Sequence, residues 1–182
     1  TVSTVTPQNG GMTGRIQKID YNNNILWDYT YNTPQGILHH DITILPNGNI
    51  LATAYDVRNA AEISAAGCTY TGSTMWSERI LELEPVGSNS ANIVWEWKLW
   101  DHLVQNTNSL AANYQTSIVN NPQLLNINHS VTRDYFHMNG LDYNPVLDQI
   151  CFSSRLKSEW YIIDHSTTTA IAATHTGGNA GK

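Results

Sequence analysis

The segment Asp134-Tyr-Phe-His-Met-Asn-Gly-Leu-Asp-Tyr143, followed after a short turn by Asp148-Gln-Ile-Cys-Phe-Ser-Ser-Arg155, predicts a β-hairpin with polar groups at its open end. Side chains alternate along a strand with a period of two, so His137 and Asn139 are expected on one face of the first strand. The two open ends of a hairpin meet, and we therefore expect Arg155 to lie near His137. An imidazole beside a guanidinium suits the binding or transfer of an oxyanion such as sulfate or phosphate.

A recurring strand unit predicts a repetitive all-β fold. Its first strand reads Arg15-Ile-Gln-Lys-Ile-Asp20, then Arg79-Ile-Leu-Glu-Leu-Glu84 and, more loosely, Trp160-Tyr-Ile-Ile-Asp164. A hairpin opened by histidine occurs twice, at 38–52 with a tight Asn-Gly turn and at 136–152. Four-stranded units repeated at intervals of tens of residues are typical of β-propeller blades. Propeller strands begin near the central axis, so the opening histidines are expected to face a central channel.

The spacing of these units predicts blades at about 14–56, 78–100 and 134–174, with a helical or loop insertion at 101–128. A closed propeller needs about four to eight blades, and this chain supplies about three. Residues 1–182 are therefore predicted to be a fragment of a single propeller domain. The remaining blades, or other copies of the chain, would complete it.

Local patterns make finer predictions. A helix is expected within 103–119, a strand at 170–174, and a loop or short helical turn within 57–73. The alternating and continuous apolar runs predict a set of buried strand residues. That set is Ile42, Ile44, Ile50, Leu51, Leu141, Ile150, Phe152, Ile162 and Ile163.

Charge and composition exclude some functions. The net charge is −6, with nine Lys plus Arg and no basic run, which argues against a nucleic-acid groove. No apolar run approaches the length that spans a membrane. Cys68 and Cys151 are too few for a disulfide framework, although a single bridge between them stays open. Cys151 is expected to act as a small hydrophobic residue in its strand.

The ordered set of motifs resembles the bacterial aryl-sulfate sulfotransferases. The resemblance runs from about Gly14 onward and depends on the whole set, because no single short motif would suffice. The motifs are Leu38-His-His-Asp-Ile42, Leu45-Pro-Asn-Gly-Asn49, Trp100-Asp-His-Leu103, the segment Asp134–Tyr143, Ser153-Ser-Arg155 and the closing Thr174-His-Thr-Gly-Gly-Asn-Ala-Gly-Lys182.

The resemblance implies a six-bladed propeller that moves a sulfuryl group from an aryl sulfate to a phenol. No nucleotide sulfate donor and no cofactor take part, and a channel histidine is transiently sulfurylated. By their motifs His137 and Arg155 match catalytic channel positions. The third catalytic position falls on the His39-His40 pair, and we favour His40. The nucleophilic histidine of the family belongs to a blade after the closing segment, and hence outside this chain. A secreted, periplasmic or cell-surface location is expected.

Three further residues are candidates for substrate binding. They are His39, Asn139 and Asp41; Asn139 could instead satisfy backbone groups, and Asp41 is expected to orient His39 or His40. Adjacent strand residues point to opposite faces, so we expect no metal site at the two neighbouring histidines. Another function class stays open: a non-catalytic extracellular propeller acting as an adhesin, structural subunit or ligand-binding module. A histidine opening a later channel-facing strand would favour the enzyme.

Overall fold

The computed structural model describes residues 11–175, and the fold is all-β. The strands are β1 (Arg15–Ile19), β2 (Ile25–Thr30), β3 (Asn32–Thr33), β4 (Gly36–Ile44), β5 (Ile50–Asn59), β6 (Thr74–Val86), β7 (Ser90–Lys98), β8 (Leu103–Val104), β9 (Leu125–Asn126), β10 (Met138–Asn144), β11 (Gln149–Ser154) and β12 (Glu159–Asp164). The helices are α1 (Ala60–Ala65), α2 (Thr169–Ala172) and a short 3-10 turn, Leu99–His102.

Two antiparallel sheets form most of the structure. Strands β3 to β7 make one sheet in sequence order, and β10 to β12 make a second. Both predicted hairpins are confirmed: β4 pairs with β5 across the Asn-Gly turn, and β10 pairs with β11. The two hairpins touch each other through β4 and β10. This arrangement is consistent with part of a β-propeller, in which neighbouring sheets pack face to face.

The predicted unit boundaries do not coincide with the sheets. The sequence pattern places 14–56 and 78–100 in two separate units, but a single sheet, β3 to β7, contains strands from both. The two units are joined because β5 pairs with β6 over ten residue pairs. Strands β1 and β2 form their own two-stranded sheet. The third unit, 134–174, contains the sheet of β10 to β12.

The main core lies between the two large sheets. Leu51 and Ile80 from the first sheet pack in one cluster with Phe152 from the second and with Phe136, just before β10, and all four are at most 2% exposed. Within the predicted buried set, Ile50, Leu51, Leu141, Ile150 and Phe152 are buried and Ile163 is half-buried. The prediction is wrong for Ile42, Ile44 and Ile162, which are 41%, 71% and 53% exposed.

The helix expected within 103–119 is absent, and turns occupy that part of the chain. Local side-chain bonds explain this, because the Gln105 amide oxygen accepts the backbone N–H groups of Thr107 and Asn108, both at 2.8 Å. Such bonds compete with helical backbone pairing. The insertion is therefore a loop, and the expected helix does not form in it.

The strand expected at 170–174 is wrong, since Thr169–Ala172 is helical. Thr168 accepts a backbone hydrogen bond at the start of this short helix, and alanine has the highest helix propensity. The short helical turn expected within 57–73 is confirmed as α1. Asn59 and Glu62 form a capping box at its start. The end of the closing segment, 176–182, lies outside the described residues.

A histidine joins the two large sheets away from their polar ends. His165, just after β12, contacts Asp148 through Nδ1 at 2.7 Å and Glu82 of β6 through Nε2 at 2.9 Å.

Both cysteines are free thiols and half-buried, so the bridge that the sequence left open is not formed. Between residues 11 and 175, no helix has the length and apolar character needed to cross a bilayer.

Candidate functional site

A cleft of about 570 Å³ lies where the hairpins β4–β5 and β10–β11 open. Its polar walls come from His40, Asp134, His137, Asn139 and Arg155, and Thr132 and Leu156 complete the lining. The volume falls within the range of small-ligand sites, roughly 300–1,000 Å³. Three residues predicted to be catalytic, His40, His137 and Arg155, thus line one cleft; their roles stay predictions.

The backbone takes an unusual form at both cleft histidines. His40 has φ 50° and His137 has φ 54°, in the left-handed region that residues other than glycine seldom adopt. A register irregularity interrupts each hairpin nearby, between Leu38 and Ile42 in β4 and between Met138 and Leu141 in β10. Such a conformation costs on the order of 1–3 kcal/mol and is concentrated at functional sites. The two bulged strand starts turn both imidazoles toward each other.

The bulge also corrects the expectation that His39 and His40 point to opposite faces. Their Nδ1 atoms lie 3.0 Å apart, in hydrogen-bond contact. His40 reaches the cleft, whereas the His39 side chain is fully buried behind it and stacks on Tyr55 with ring centroids 4.0 Å apart. The preference for His40 as the channel-facing residue agrees with this geometry. His39, predicted to bind substrate, does not line the cleft.

Glu78 on β6 links the two hairpins from behind the cleft. Its Oε2 lies 2.8 Å from His39 Nε2, and its Oε1 accepts the backbone N–H of Met138 at 2.8 Å. The side chain is fully buried. Sequence analysis missed Glu78; β6 also carries Ser77, Arg79 and Glu82, so no sequence signal distinguishes Glu78 from its polar neighbours. One carboxyl group therefore fixes the position of His39 relative to the start of β10.

His137 completes a row of contacts across the cleft wall. Its Nε2 lies 3.3 Å from His40 Nε2, and its Nδ1 lies 2.5 Å from Asp134 Oδ2. The Tyr55 hydroxyl is also near, 3.4 Å from the same Nδ1. Asp134 belongs to the hairpin segment that predicts the fold, but sequence analysis assigned it no role. Its spacing of three residues before a histidine was the signal.

Arg155 supplies positive charge to the cleft. Its backbone N–H donates to the His137 carbonyl at 3.0 Å, which confirms that the hairpin ends meet. Within residues 11–175 its guanidinium makes no hydrogen bond or ion pair, and the side chain is exposed. Asn139 is also exposed beside it. Donors without a protein acceptor at a cleft wall are available to an oxyanion.

Asp41 bonds to backbone N–H groups and not, as predicted, to an imidazole. Its Oδ1 accepts the backbone N–H of Ile42 and its Oδ2 that of Leu141, both at 2.9 Å. The carboxylate thus joins β4 to β10 across the bulges instead of orienting an imidazole. Glu78 and Asp134 contact the imidazoles in its place.

Burial keeps the inner groups of the site uncharged. Burial, with a smaller contribution from His137, lowers the pKa of His39 to about 3. The pKa of His40 is also lowered, first by burial and then by the neighbouring His39. Burial raises the pKa of Glu78 well above its ordinary value, against the Met138 N–H that favours its anion. The directions of these shifts favour the neutral imidazoles of His39 and His40 and the protonated carboxyl of Glu78.

Comparison with known proteins gives one family. The family model described as Arylsulfotransferase (ASST) matches residues 9–176, which is most of the chain. No curated protein and no solved structure matches the sequence significantly. Among residues 11–175, no group of three or more His, Cys, Asp and Glu side chains has the arrangement of a metal site.

Proposed function

Because the chain belongs to the arylsulfotransferase family, we propose that its cleft binds the sulfuryl group of an aryl sulfate and assists its transfer to a phenol. One observation carries the proposal: two imidazoles with Nε2 atoms 3.3 Å apart stand beside the Arg155 guanidinium, which has no protein partner among the described residues. This combination offers one fixed cation and an imidazole N–H to a trigonal oxyanion group. An extracellular or periplasmic location, as the family resemblance implies, is part of the proposal.

The proposed chemistry divides between binding and proton supply. Arg155 contacts two nonbridging oxygens of the SO₃ group, as a guanidinium fork allows. A neutral imidazole attacks sulfur, so an N–S bond forms and the bond to the aryl oxygen breaks. A phenol of pKa ~10 leaves more readily when a neighbouring acid donates a proton to it. A second phenol then takes the sulfuryl group and frees the imidazole.

The remaining candidates have supporting positions in this proposal. Asn139, exposed in the cleft, donates its amide N–H to a sulfuryl or aryl oxygen. His39 and Asp41 act from behind the wall, His39 through its contact with His40 and Asp41 by tying β4 to β10. The resemblance places the attacking imidazole in a later blade. In that case His40 and His137 hold and polarise the group that is attacked.

The test measures transfer and binding separately in the full-length protein. Transfer from para-nitrophenyl sulfate to phenol is followed by nitrophenolate absorbance, and binding of phenyl sulfate by titration calorimetry. We expect both in the wild type, and a loss of transfer of about 100-fold in His137→Ala, because a preorganised group at the transferring centre contributes about 3 kcal/mol. His129→Ala, an exposed histidine outside the cleft, should retain wild-type rates. Binding without transfer would indicate a ligand-binding module, and neither would indicate a structural propeller.

Gly11 makes room for the His40 ring and gives a second prediction. A Cβ on Gly11 would lie 2.3 Å from His40 Cε1, so Gly11→Ala must displace that imidazole. We expect transfer to fall by tenfold or more, since a misplacement of about 1 Å can cost 10²-fold. Gly48→Ala is the matched control: Gly48 has φ 89° against 84° for Gly11, but its Cβ would meet nothing within 4 Å. Equal losses in the two variants would attribute the effect to backbone strain alone.

A further inference from the structure

Five side chains form an unbroken hydrogen-bonded row, here called the relay, from the protein interior to the cleft. In order they are Glu78, His39, His40, His137 and Asp134. The contacts are Oε2–Nε2 at 2.8 Å, Nδ1–Nδ1 at 3.0 Å, Nε2–Nε2 at 3.3 Å and Nδ1–Oδ2 at 2.5 Å. Each imidazole uses both ring nitrogens within the relay. The protonation of any member therefore constrains its neighbours.

The number of protons in the relay follows from its contacts. Each contact joins two atoms that both carry lone pairs, so each requires one proton between them. Three neutral imidazoles bring three protons to four contacts. The fourth proton must come from one additional protonation, either an imidazolium or a protonated carboxyl group. A complete relay therefore carries a single net negative charge.

The free-energy cost of the additional proton is lowest on Glu78, at the buried end of the relay. The Glu78 side chain has no solvent exposure, and ionised carboxylates are costly to bury without a cationic partner. The groups that face it are His39 from β4, Asp56 from β5, and Asp134 and His137 from the segment before β10. Two of these are carboxylates, which favour a neutral Glu78. Its Oε1 accepts from Met138, leaving Oε2 to donate to His39.

A protonated Glu78 fixes every other proton of the relay. Glu78 donates to His39 Nε2, and His39 Nδ1–H donates to His40 Nδ1. His40 Nε2–H then donates to His137 Nε2, and His137 Nδ1–H donates to the Asp134 carboxylate. All four hydrogen bonds point the same way, and the lowered pKa values of His39 and His40 and the raised pKa of Glu78 agree with this pattern.

We propose that Glu78 is a positioning residue that stores the proton exchanged between the two phenols of the transfer, a role that rests on the proposed function. When the aryl oxygen leaves sulfur, His40 Nε2–H exchanges its hydrogen bond to His137 Nε2 for one to that oxygen and donates its proton there. His39 Nδ1–H then moves to His40 Nδ1, and the Glu78 proton moves to His39 Nε2. The products are a neutral phenol, two neutral imidazoles and the Glu78 carboxylate. The acceptor phenol returns its proton along the same path when it takes the sulfuryl group.

The first experiment locates the stored proton without any catalysis. Glu78→Gln keeps an acceptor for Met138 and a donor for His39 but cannot ionise. A carboxyl that is protonated only in the native state makes stability fall as pH rises above its unfolded pKa of ~4.3. We therefore expect the unfolding constant of the wild type, relative to that of Glu78→Gln, to rise about tenfold per pH unit above that value. Glu82→Gln, on the same strand and bonded to His165 at 2.9 Å in the same way, should keep the wild-type slope.

A second readout needs no substitution. Ring ¹⁵N shifts in the wild type should show His39 protonated at Nδ1 and His40 at Nε2. A flat stability ratio between the wild type and Glu78→Gln, or His39 protonated at Nε2, would overturn the proposal. Both results would place the additional proton elsewhere in the relay.

The third experiment varies the leaving group in the full-length protein. Phenyl sulfate needs a proton on its departing oxygen, whereas para-nitrophenyl sulfate needs it far less. We expect Glu78→Gln to slow phenyl sulfate about 100-fold and the nitrophenyl ester less than about tenfold. A purely structural role would slow both esters equally, and that result would overturn the relay. A wild type that transfers nothing would refute the proposed function instead, and the stability and ¹⁵N measurements would still decide where the proton lies.

Discussion

Replacing Arg155 by alanine is expected to lower the rate of sulfuryl transfer about 100-fold, the largest effect of any single charge in the cleft. The charge develops on oxygens during transfer, and one preorganised contact to it contributes about 3 kcal/mol. The guanidinium makes no ion pair among residues 11–175, so its removal leaves no carboxylate unpaired there. The fold should persist, and circular dichroism should be unchanged.

Arg155→Lys separates charge from geometry. Lysine retains the positive charge but lacks the planar fork that contacts two oxygens, so we expect it to restore only part of the rate. Arg15→Ala is the control, because Arg15 pairs with Asp28 on the exposed sheet of β1 and β2. A full rate in Arg155→Ala would show that the sulfuryl group does not bind at Arg155 and would refute the proposed role of this residue.

Sequence reasoning located the cleft because its members occupy equivalent places in two hairpins. The Asn-Gly turn and the alternating apolar pattern fix which residues open each hairpin, and His40 and His137 follow from that. Arg155 follows from the return strand. These are local patterns, and local patterns are visible in a single sequence.

The parts that sequence reasoning missed are non-local. Glu78 reaches His39 only because β6 lies beside β5, and it reaches Met138 only because the second sheet packs on the first. The left-handed backbone at His40 likewise depends on a bulge that no propensity predicts. The alternation of side chains between the two faces of a strand therefore fails at the cleft, since the bulge in β4 allows His39 and His40 to touch.

The errors in burial and in local structure have separate causes. Ile42, Ile44 and Ile162 are apolar and sit in strands as predicted, but on faces that no described residue covers. Hydrophobicity alone does not say which face of a sheet meets the core. The segment 170–174 is too short for its period to separate a strand from a helix. The Thr168 side chain caps the N-terminus of Thr169–Ala172 and favours the helix over a strand there.

The largest effect on stability is expected from Asp56→Asn, at the side of the sheet that supports Glu78. Asp56 is 4% exposed; its Oδ1 accepts from Arg79 Nη2 at 2.8 Å, and its Oδ2 contacts Arg58. The amide removes the negative charge and turns a donor toward a guanidinium that is itself 8% exposed. Breaking a buried ion pair in this way costs ~3–5 kcal/mol. Urea unfolding measures the loss.

An exposed pair of the same type tests whether burial is the reason. Asp28→Asn removes one partner of the Arg15–Asp28 pair, whose side chains are 53% and 26% exposed, and exposed pairs contribute little because water and salt screen them. We therefore expect Asp28→Asn to unfold near the wild-type urea midpoint and Asp56→Asn far below it. Equal shifts would mean that Glu96 and the Gln35 carbonyl, which lie 3.1 and 2.9 Å from Arg79, satisfy its guanidinium without Asp56. The strand that carries Glu78 would then owe its position to packing rather than to this ion pair.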